Sequence, residues 1–280
     1  MTVRERQCRT ASVSVRLIVN ADDFGFTRDV NEGIVEAHRN GILTATTLMA
    51  NGAAFDHAVK LARENPSLDV GCHLVLVQGR SVADPSRDLP STLAELGRAL
   101  LGGGLRGKLP VYEELLAQIR KIVQAGIRPT HLDTHKHTHL LPPVLEAVAR
   151  LAHEFGIPWV RRPFDFGIDR GARITKSAIA LGMRVTRPGF ARALGNLKTT
   201  DHFAGFQITG MLKQANLIDT LERLPAGLTE FMCHPGKLGP ELRAAATRLK
   251  ESREIELAAL VSPEVRSVVE RRGIELVNYR

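Results

Sequence analysis

Along this chain, short apolar runs bounded by turn residues alternate with segments whose apolar positions recur at helical spacing. Val15 to Ala21 is apolar almost throughout, the pattern of a strand covered on both faces. Thr27 stands where it can cap the next segment, DVNEGIVEAHRN, and Gly41 is placed to stop that helix. Thr44 to Ala50 is strand-like, a helix is expected near Ala54 to Glu64, and Asp69 to Val77 reads as a strand carrying His73. A long connection follows from Gln78 to Pro110, with the run Gly102-Gly103-Gly104 inside it, and reads as a lid or insert. Beyond it the pattern predicts a helix over Val111 to Ala125, a strand over Thr130 to Thr134, a helix from Leu140 to Gly156 and a short strand over Pro158 to Arg161. Residues 162 to 206 are irregular with a helical middle. After them come a helix (Leu212 to Leu224), a strand (Leu228 to Cys233), helical residues from Glu241 to Leu260, a short helix (Pro263 to Arg272) and a last strand (Ile274 to Val277).

Strict alternation of this kind implies a parallel sheet. The number of elements predicts an α/β fold, a single TIM-barrel-like (β/α) barrel that is closed or distorted and incomplete. No repeat or linker divides the chain. One catalytic domain is expected over residues 1–280, with residues 1–12 as a flexible tail.

Composition narrows the function. With 44% hydrophobic and 24% charged residues the 280-residue chain is an ordinary globular one, and no run reaches the about 18 apolar residues of a membrane span. The first apolar run leads straight into Asn20-Ala21-Asp22-Asp23, so it reads as a strand and not a signal peptide, and a cytoplasmic location is expected. Three cysteines, none in a CxxC pair, argue against a disulfide scaffold or a thiolate zinc site. The net charge of +8 would attract polyanions, but the basic residues are scattered doublets without aromatic interleaving. Nucleic acid is therefore not an expected partner, while peripheral contact with an acidic inner-membrane surface is compatible with the charge.

The candidate chemistry gathers at predicted strand ends, where barrel enzymes carry theirs. Asp22 and Asp23 close the first strand. Adjacent carboxylates there either cap a turn or divide labour, one binding a metal and the other taking a proton from water. His73 is a lone histidine in an apolar strand, and alternation turns Cys72 to the opposite face. The densest signal is HLDTHKHTH, with four of the ten histidines in nine residues. In an extended strand His131, Asp133 and His135 share a face; one or two of the histidines should bind metal while the others, His137 and His139 included, orient ligands or substrate. His234 ends another strand beside Pro235-Gly236 and is the natural candidate for a general acid. Phe203 and Phe206 sit in an apolar, glycine-flanked stretch that is either a buried loop or a wall for an apolar substrate.

Together LIVNADDFG, NEGIVEAHRNGILTATTLMANG, GCHLVLVQGR, PTHLDTHKHTH and EFMCHPG, in order from Leu17 to Gly236, resemble the YdjC/ChbG family of carbohydrate deacetylases. The resemblance implies hydrolysis of N-acetyl groups on amino sugars with one divalent metal ion, Mg or Zn. By motif position Asp23, His73 and His135 match the metal ligands, Asp22 the general base, and His234 the acid. Cys72 departs from the family, where Leu is common. HLVLVQGR, VRRPFDF and TTDHFAGFQITG are similar to the hopanoid-biosynthesis branch, HpnK, which implies an N-acetylglucosaminyl hopanoid glycolipid as substrate, with a soluble chito-oligosaccharide as the alternative. A glycoside hydrolase is disfavoured, because that chemistry needs two carboxylates about 5–9.5 Å apart and here histidines dominate. A protein that only binds lipid or sugar has no use for acid, base and ligand groups at successive strand ends.

Overall fold

The computed structural model describes residues 14–102, 109–169 and 171–280. Its elements run β1 (Val15–Phe24), α1 (Arg28–Asn40), β2 (Ala45–Leu48), α2 (Phe55–Glu64), β3 (Asp69–Leu74), α3 (Leu93–Leu100), α4 (Val111–Gln124), β4 (His131–Thr134), α5 (Pro142–Phe155) and β5 (Trp159–Val160). They continue with α6 (Ile174–Met183), α7 (Arg187–Leu194), β6 (His202–Ala204), α8 (Gln214–Glu222), β7 (Gly227–Cys233), α9 (Pro240–Ala244), α10 (Glu251–Leu260), α11 (Pro263–Arg271) and β8 (Glu275–Leu276). No described helix is long and apolar enough to cross a membrane.

Seven strands form one parallel sheet in the order β5-β4-β3-β2-β1-β7-β6. The two flanks meet through isolated parallel bridges, Trp159 with Lys198 and Asp165 with Phe203, so the sheet curls into a distorted barrel. Regular pairing there gives way to single bridges because the strand-like stretches on either side are short. The eighth strand, β8, pairs with the first residues of β1, Arg16 and Leu17, below the level at which β2 joins at Asn20.

Alternation along β1 explains how the barrel holds its site. Leu17, Val19 and Ala21 point outward into the main core between strands and helices, while Ile18, Asn20 and Asp22 alternate with them. Ile18 joins Ala45, Leu228 and Tyr279 in a small apolar cluster that floors the barrel. Above this floor the interior is polar: Asn20, Thr47, His73, His131, Asp133, Arg161 and Glu230 are all buried. The outer apolar shell offsets the cost of that polar filling, each fully buried Leu, Ile or Phe contributing about 1.5–3 kcal/mol. Gly71 shows how tightly the interior is filled, since a Cβ there would lie 2.6 Å from the His131 ring.

Several expectations need correction. The helical stretch from Glu241 to Leu260 is two helices, α9 and α10, separated by residues 245–250 that line the cavity described below. The connection from Gln78 to Pro110 carries its own helix, α3, capped by Thr92. The helical middle expected in residues 162–206 is α6 and α7, and the stretch also contains the strand β6, which was not expected. The expected tail at residues 1–12, and Gly103-Gly104, lie outside the described residues.

Candidate active site

β1 shifts register against β2 between Ala21 and Phe24, and Asp23 takes a left-handed φ of 71°. This bulge lets two adjacent carboxylates serve the same site. Gln78, Lys136 and His137 are the other non-glycine residues with positive φ among the described residues, and all four line one cavity of about 960 Å³ at the C-terminal rim of the barrel. Backbone strain gathered around one cavity marks a functional site.

On its floor Asp23, His73 and His135 form a triangle. His73 Nε2 lies 3.4 Å and His135 Nδ1 3.5 Å from Asp23 Oδ1, and the two nitrogens are 3.3 Å apart. Donors held about 2.0–2.2 Å from a common cation sit at about this spacing. Asp23 Oδ1 is buried and has no hydrogen-bond partner, so a cation would satisfy it. The remaining atoms are already fixed: Arg253 Nη2 donates to Asp23 Oδ2, and His73 Nδ1 lies 2.7 Å from Asp133 Oδ1. Asp133 thus directs His73 Nε2 toward the triangle, the arrangement by which carboxylates orient metal-binding histidines. Burial works against a charge on His73, but Asp133 and Asp23 outweigh it and hold the imidazole up at about 10. With the donor spacing and the unpartnered Asp23 oxygen, the residues present fit a divalent cation. A second cluster of potential ligands, Asp22, His73 and Asp133, does not offer a free set, because Arg161 holds both of its carboxylates.

Arg161 is the organising cation of the interior. It forks onto both oxygens of Asp22 at 2.6 and 2.7 Å, reaches Asp133 Oδ2 at 2.6 Å and donates from Nε to Glu230 at 2.7 Å. Asp22 is buried, which alone would raise its pKa, yet Arg161 holds the carboxyl well below the usual range. Glu230 goes the other way, since burial lifts it to about 7 against the pull of Arg161. His234 Nε2 stands 3.9 Å from Asp22 Oδ2, and its backbone N–H donates to Glu256 Oε2 at 2.6 Å. Burial depresses the His234 imidazole to about 4, with Asp22 and Asp23 opposing.

The other histidines of HLDTHKHTH lie apart from the triangle. His131 sits deeper in the barrel, stacked on Tyr279, with Nε2 3.0 Å from Asn20 Oδ1. Asn20 in turn donates to Asp22 Oδ1, so His131 supports Asp22 through one intermediary. His139 contacts Thr134 Oγ1 and the Arg161 carbonyl. His137 lines the cavity against the rings of Phe203 and Phe206. Phe206 lines the cavity too, but Phe203 is fully buried in β6 and does not. Phe203 packs inside the barrel beneath Arg161, so the expected apolar wall keeps only one of its two phenylalanines. Cys72 turns into the outer core, as alternation implied. Sequence reasoning missed Arg161, Arg253, Glu230 and Glu256. Only Arg161 carried a signal, an arginine at a predicted strand end level with the other polar groups.

A parallel barrel with two imidazoles and a carboxylate converging at its C-terminal rim presents a set of groups that could hold a cation. The chain belongs to the family of YdjC-like proteins, whose model matches residues 16–271. It is 36% identical over 268 residues to a carbohydrate deacetylase of Brevibacillus brevis, covering 95% of this chain and 98% of that protein. It is 36% identical over 269 residues to a chitooligosaccharide deacetylase of Escherichia fergusonii, covering 94% and 97%. Among solved structures, a protein of Enterococcus faecalis V583 named for cellobiose-phosphate cleavage superposes with a TM-score of 0.74 at 26% identity, over 95% of this chain and 98% of that one.

Proposed function

We propose that this protein is a metal-dependent carbohydrate deacetylase that hydrolyses the N-acetyl group of an amino sugar, giving acetate and a free amine. The observation that carries the reading is the triangle of Asp23, His73 and His135, with its unpartnered buried oxygen, at the bottom of a cavity large enough for a sugar. The relatives named for carbohydrate and chitooligosaccharide deacetylation support the reaction class.

In this reading one divalent ion, Mg or Zn, is held by Asp23, His73 and His135. When bound it supplies a Lewis acid and lowers the pKa of water. Two imidazoles and a carboxylate suit zinc, while the family resemblance implies magnesium. Asp22 is ionised and takes the proton of the attacking water at Oδ2, while Arg161 keeps its carboxylate aimed into the cavity. His234 Nε2, 3.9 Å away, carries a proton to the departing nitrogen as the C–N bond breaks. With a resting neutral imidazole the balance requires that the proton taken at Asp22 Oδ2 pass to His234 Nε2, through one water across the 3.9 Å gap, before it leaves on the amine nitrogen.

For the acceptor, we propose a lipid-linked sugar of the N-acetylglucosaminyl hopanoid kind, met at the inner membrane surface. Support comes from the apolar outer part of the cavity, where Leu93, Leu140, Leu141, Ile179, Met183 and Phe206 lie above the polar floor. A soluble chito-oligosaccharide is the second reading, favoured by the name of the Escherichia fergusonii relative. Incubation of the protein with Mg or Zn and either an N-acetylglucosaminyl lipid or N-acetylated chito-oligosaccharides, followed by acetate assay and mass spectrometry, tests both. Acetate from the lipid in preference supports the first; acetate from the oligosaccharide alone supports the second. Acetate from neither, with either metal, overturns the deacetylase reading, and release of reducing sugar would point to glycoside hydrolysis.

A further inference from the structure

Helix α6 packs by one face only: Met183 touches the core, Ser177 donates to Gln207, and Ala180 is its one buried residue. Ile174, Ala178 and Leu181 follow one another at spacings of four and three, which sets them on one face, and Val185 continues the line in the turn beyond. These side chains are in water, Ile174 at 89%, Leu181 at 65% and Val185 at 82% exposure. Scattered exposed leucines are ordinary, but a row of large aliphatic groups along the uncovered face of a helix marks an interaction surface. The charge along this segment is one-sided, although Lys176 turns into the cavity and Lys198 stacks on Trp159. From residue 171 to residue 200 the chain has six cations (Arg173, Lys176, Arg184, Arg187, Arg192 and Lys198) and no carboxylate. From the opposite face of the same helix, Lys176, Ile179 and Met183 line the cavity that ends at Asp22, Asp23 and His73.

We propose that this segment docks the protein on the surface of an anionic lipid bilayer, with Ile174, Leu181 and Val185 entering the acyl boundary and the surrounding cations meeting the headgroups. An apolar stripe rimmed by Arg and Lys is what an interfacial helix uses. A second copy of the chain is a poorer occupant, because two such faces set like charges against each other. Docking by α6 would hold the cavity, which the opposite face of the helix lines, one helix diameter (~10 Å) from the headgroup layer, within reach of a sugar projecting from a lipid. The inference deepens the glycolipid reading above and rests on it for the substrate, but binding to vesicles requires no turnover.

The test is sedimentation of the full-length protein with vesicles of phosphatidylcholine alone and of phosphatidylcholine mixed with phosphatidylglycerol. Binding is expected to the mixed vesicles and to weaken as salt is raised. The variant Leu181→Asp/Val185→Asp, at sites outside the cavity, is expected to lose at least about tenfold in partition with an unchanged melting temperature. Arg187→Glu/Arg192→Glu should lose binding to the mixed vesicles with the same control. Failure of the wild type to sediment with either vesicle, or equal sedimentation of the Leu181→Asp/Val185→Asp variant, overturns the proposal. A dimer in solution that Leu181→Asp abolishes would also overturn it and give the face to a second copy. If vesicle binding holds while no acetate is released from any substrate, the deacetylase reading falls and the docking surface stands.

Discussion

Arg253 and Glu256 stand one helical turn apart on α10 and reach the two halves of the site, Arg253 donating to Asp23 Oδ2 and Glu256 accepting the backbone N–H of His234. One rigid turn therefore sets the separation between the cation triangle and the candidate acid. Glu256 does not line the cavity; it positions His234. Glu256→Ala is expected to lower kcat by about tenfold, ~1.4 kcal/mol, with KM and metal affinity unchanged. Glu256→Gln keeps an oxygen acceptor and should retain most of the rate in steady-state assays of acetate release. An equal loss in both variants would make the charge, and not the acceptor, the important property.

Asp133 is expected to govern metal affinity although it is not one of the proposed ligands. Its Oδ1 accepts from His73 Nδ1, and its Oδ2 is tied to Arg161 and Thr47, so it cannot swing away. Asp133→Asn offers a weaker partner to His73. The expected loss is about 10–100-fold in affinity for Zn or Mg, measured by titration calorimetry. His73→Ala removes a ligand outright and should bind less than either. If Asp133→Asn bound metal as well as the wild type, the orientation of His73 would have another origin.

The barrel and the triangle were legible in sequence for a common reason. Strand periodicity, stop residues and the motifs around Asp23, His73 and His135 are each local, every one written in a short stretch of chain. The groups that hold the site in place are not local. Arg253 lies 230 residues from Asp23 in an ordinary-looking amphipathic helix, and nothing in its neighbourhood distinguishes it from the exposed arginines around it. Arg161 stood at a readable strand end, yet an Arg-Arg doublet reads first as surface charge; only the fold shows three carboxylates closing on it. Phe203 and Phe206 differ by three residues and by their relation to the strand β6, and composition alone could not separate the buried ring from the one at the cavity. The break at residues 245–250 was hidden because its residues have fair helix propensity, and tertiary placement overrides that preference.

Asp22 and the cation should be separable by experiment. Asp22→Asn removes the proton acceptor but leaves Asp23, His73 and His135 in place, so metal binding is expected to persist while kcat falls by about 10²–10⁴-fold. Chelation should do the reverse, abolishing acetate release until Zn or Mg is returned. It should also lower the melting temperature, since a ligand at about 100 times its Kd contributes about 2.7 kcal/mol to stability. Calorimetry and melting curves on the same preparations check both. Full activity of Asp22→Asn with bound metal would remove Asp22 from the role of base.

Asp165 should leave a signature in the pH dependence of stability, away from the cation site. It is buried at the β5–β6 junction, where its carboxylate accepts from the backbone N–H groups of Phe206 and Gln207. Burial, with Asp169 nearby, pushes its pKa from 3.8 to about 7 despite those bonds. The folded state therefore holds a proton that the unfolded chain has already released. The resulting contribution to stability is fully present below about pH 4, declines as pH rises toward about 7, and is absent above it, with a slope of at most about 1.4 kcal/mol per pH unit. Asp165→Asn has no proton to lose and sacrifices one acceptor at every pH. The stability difference between variant and wild type should accordingly move in the variant's favour from about pH 4 to about pH 7 and then level off, as measured by urea unfolding. A difference that stays constant with pH would mean that Asp165 ionises in the folded protein as readily as in the unfolded chain.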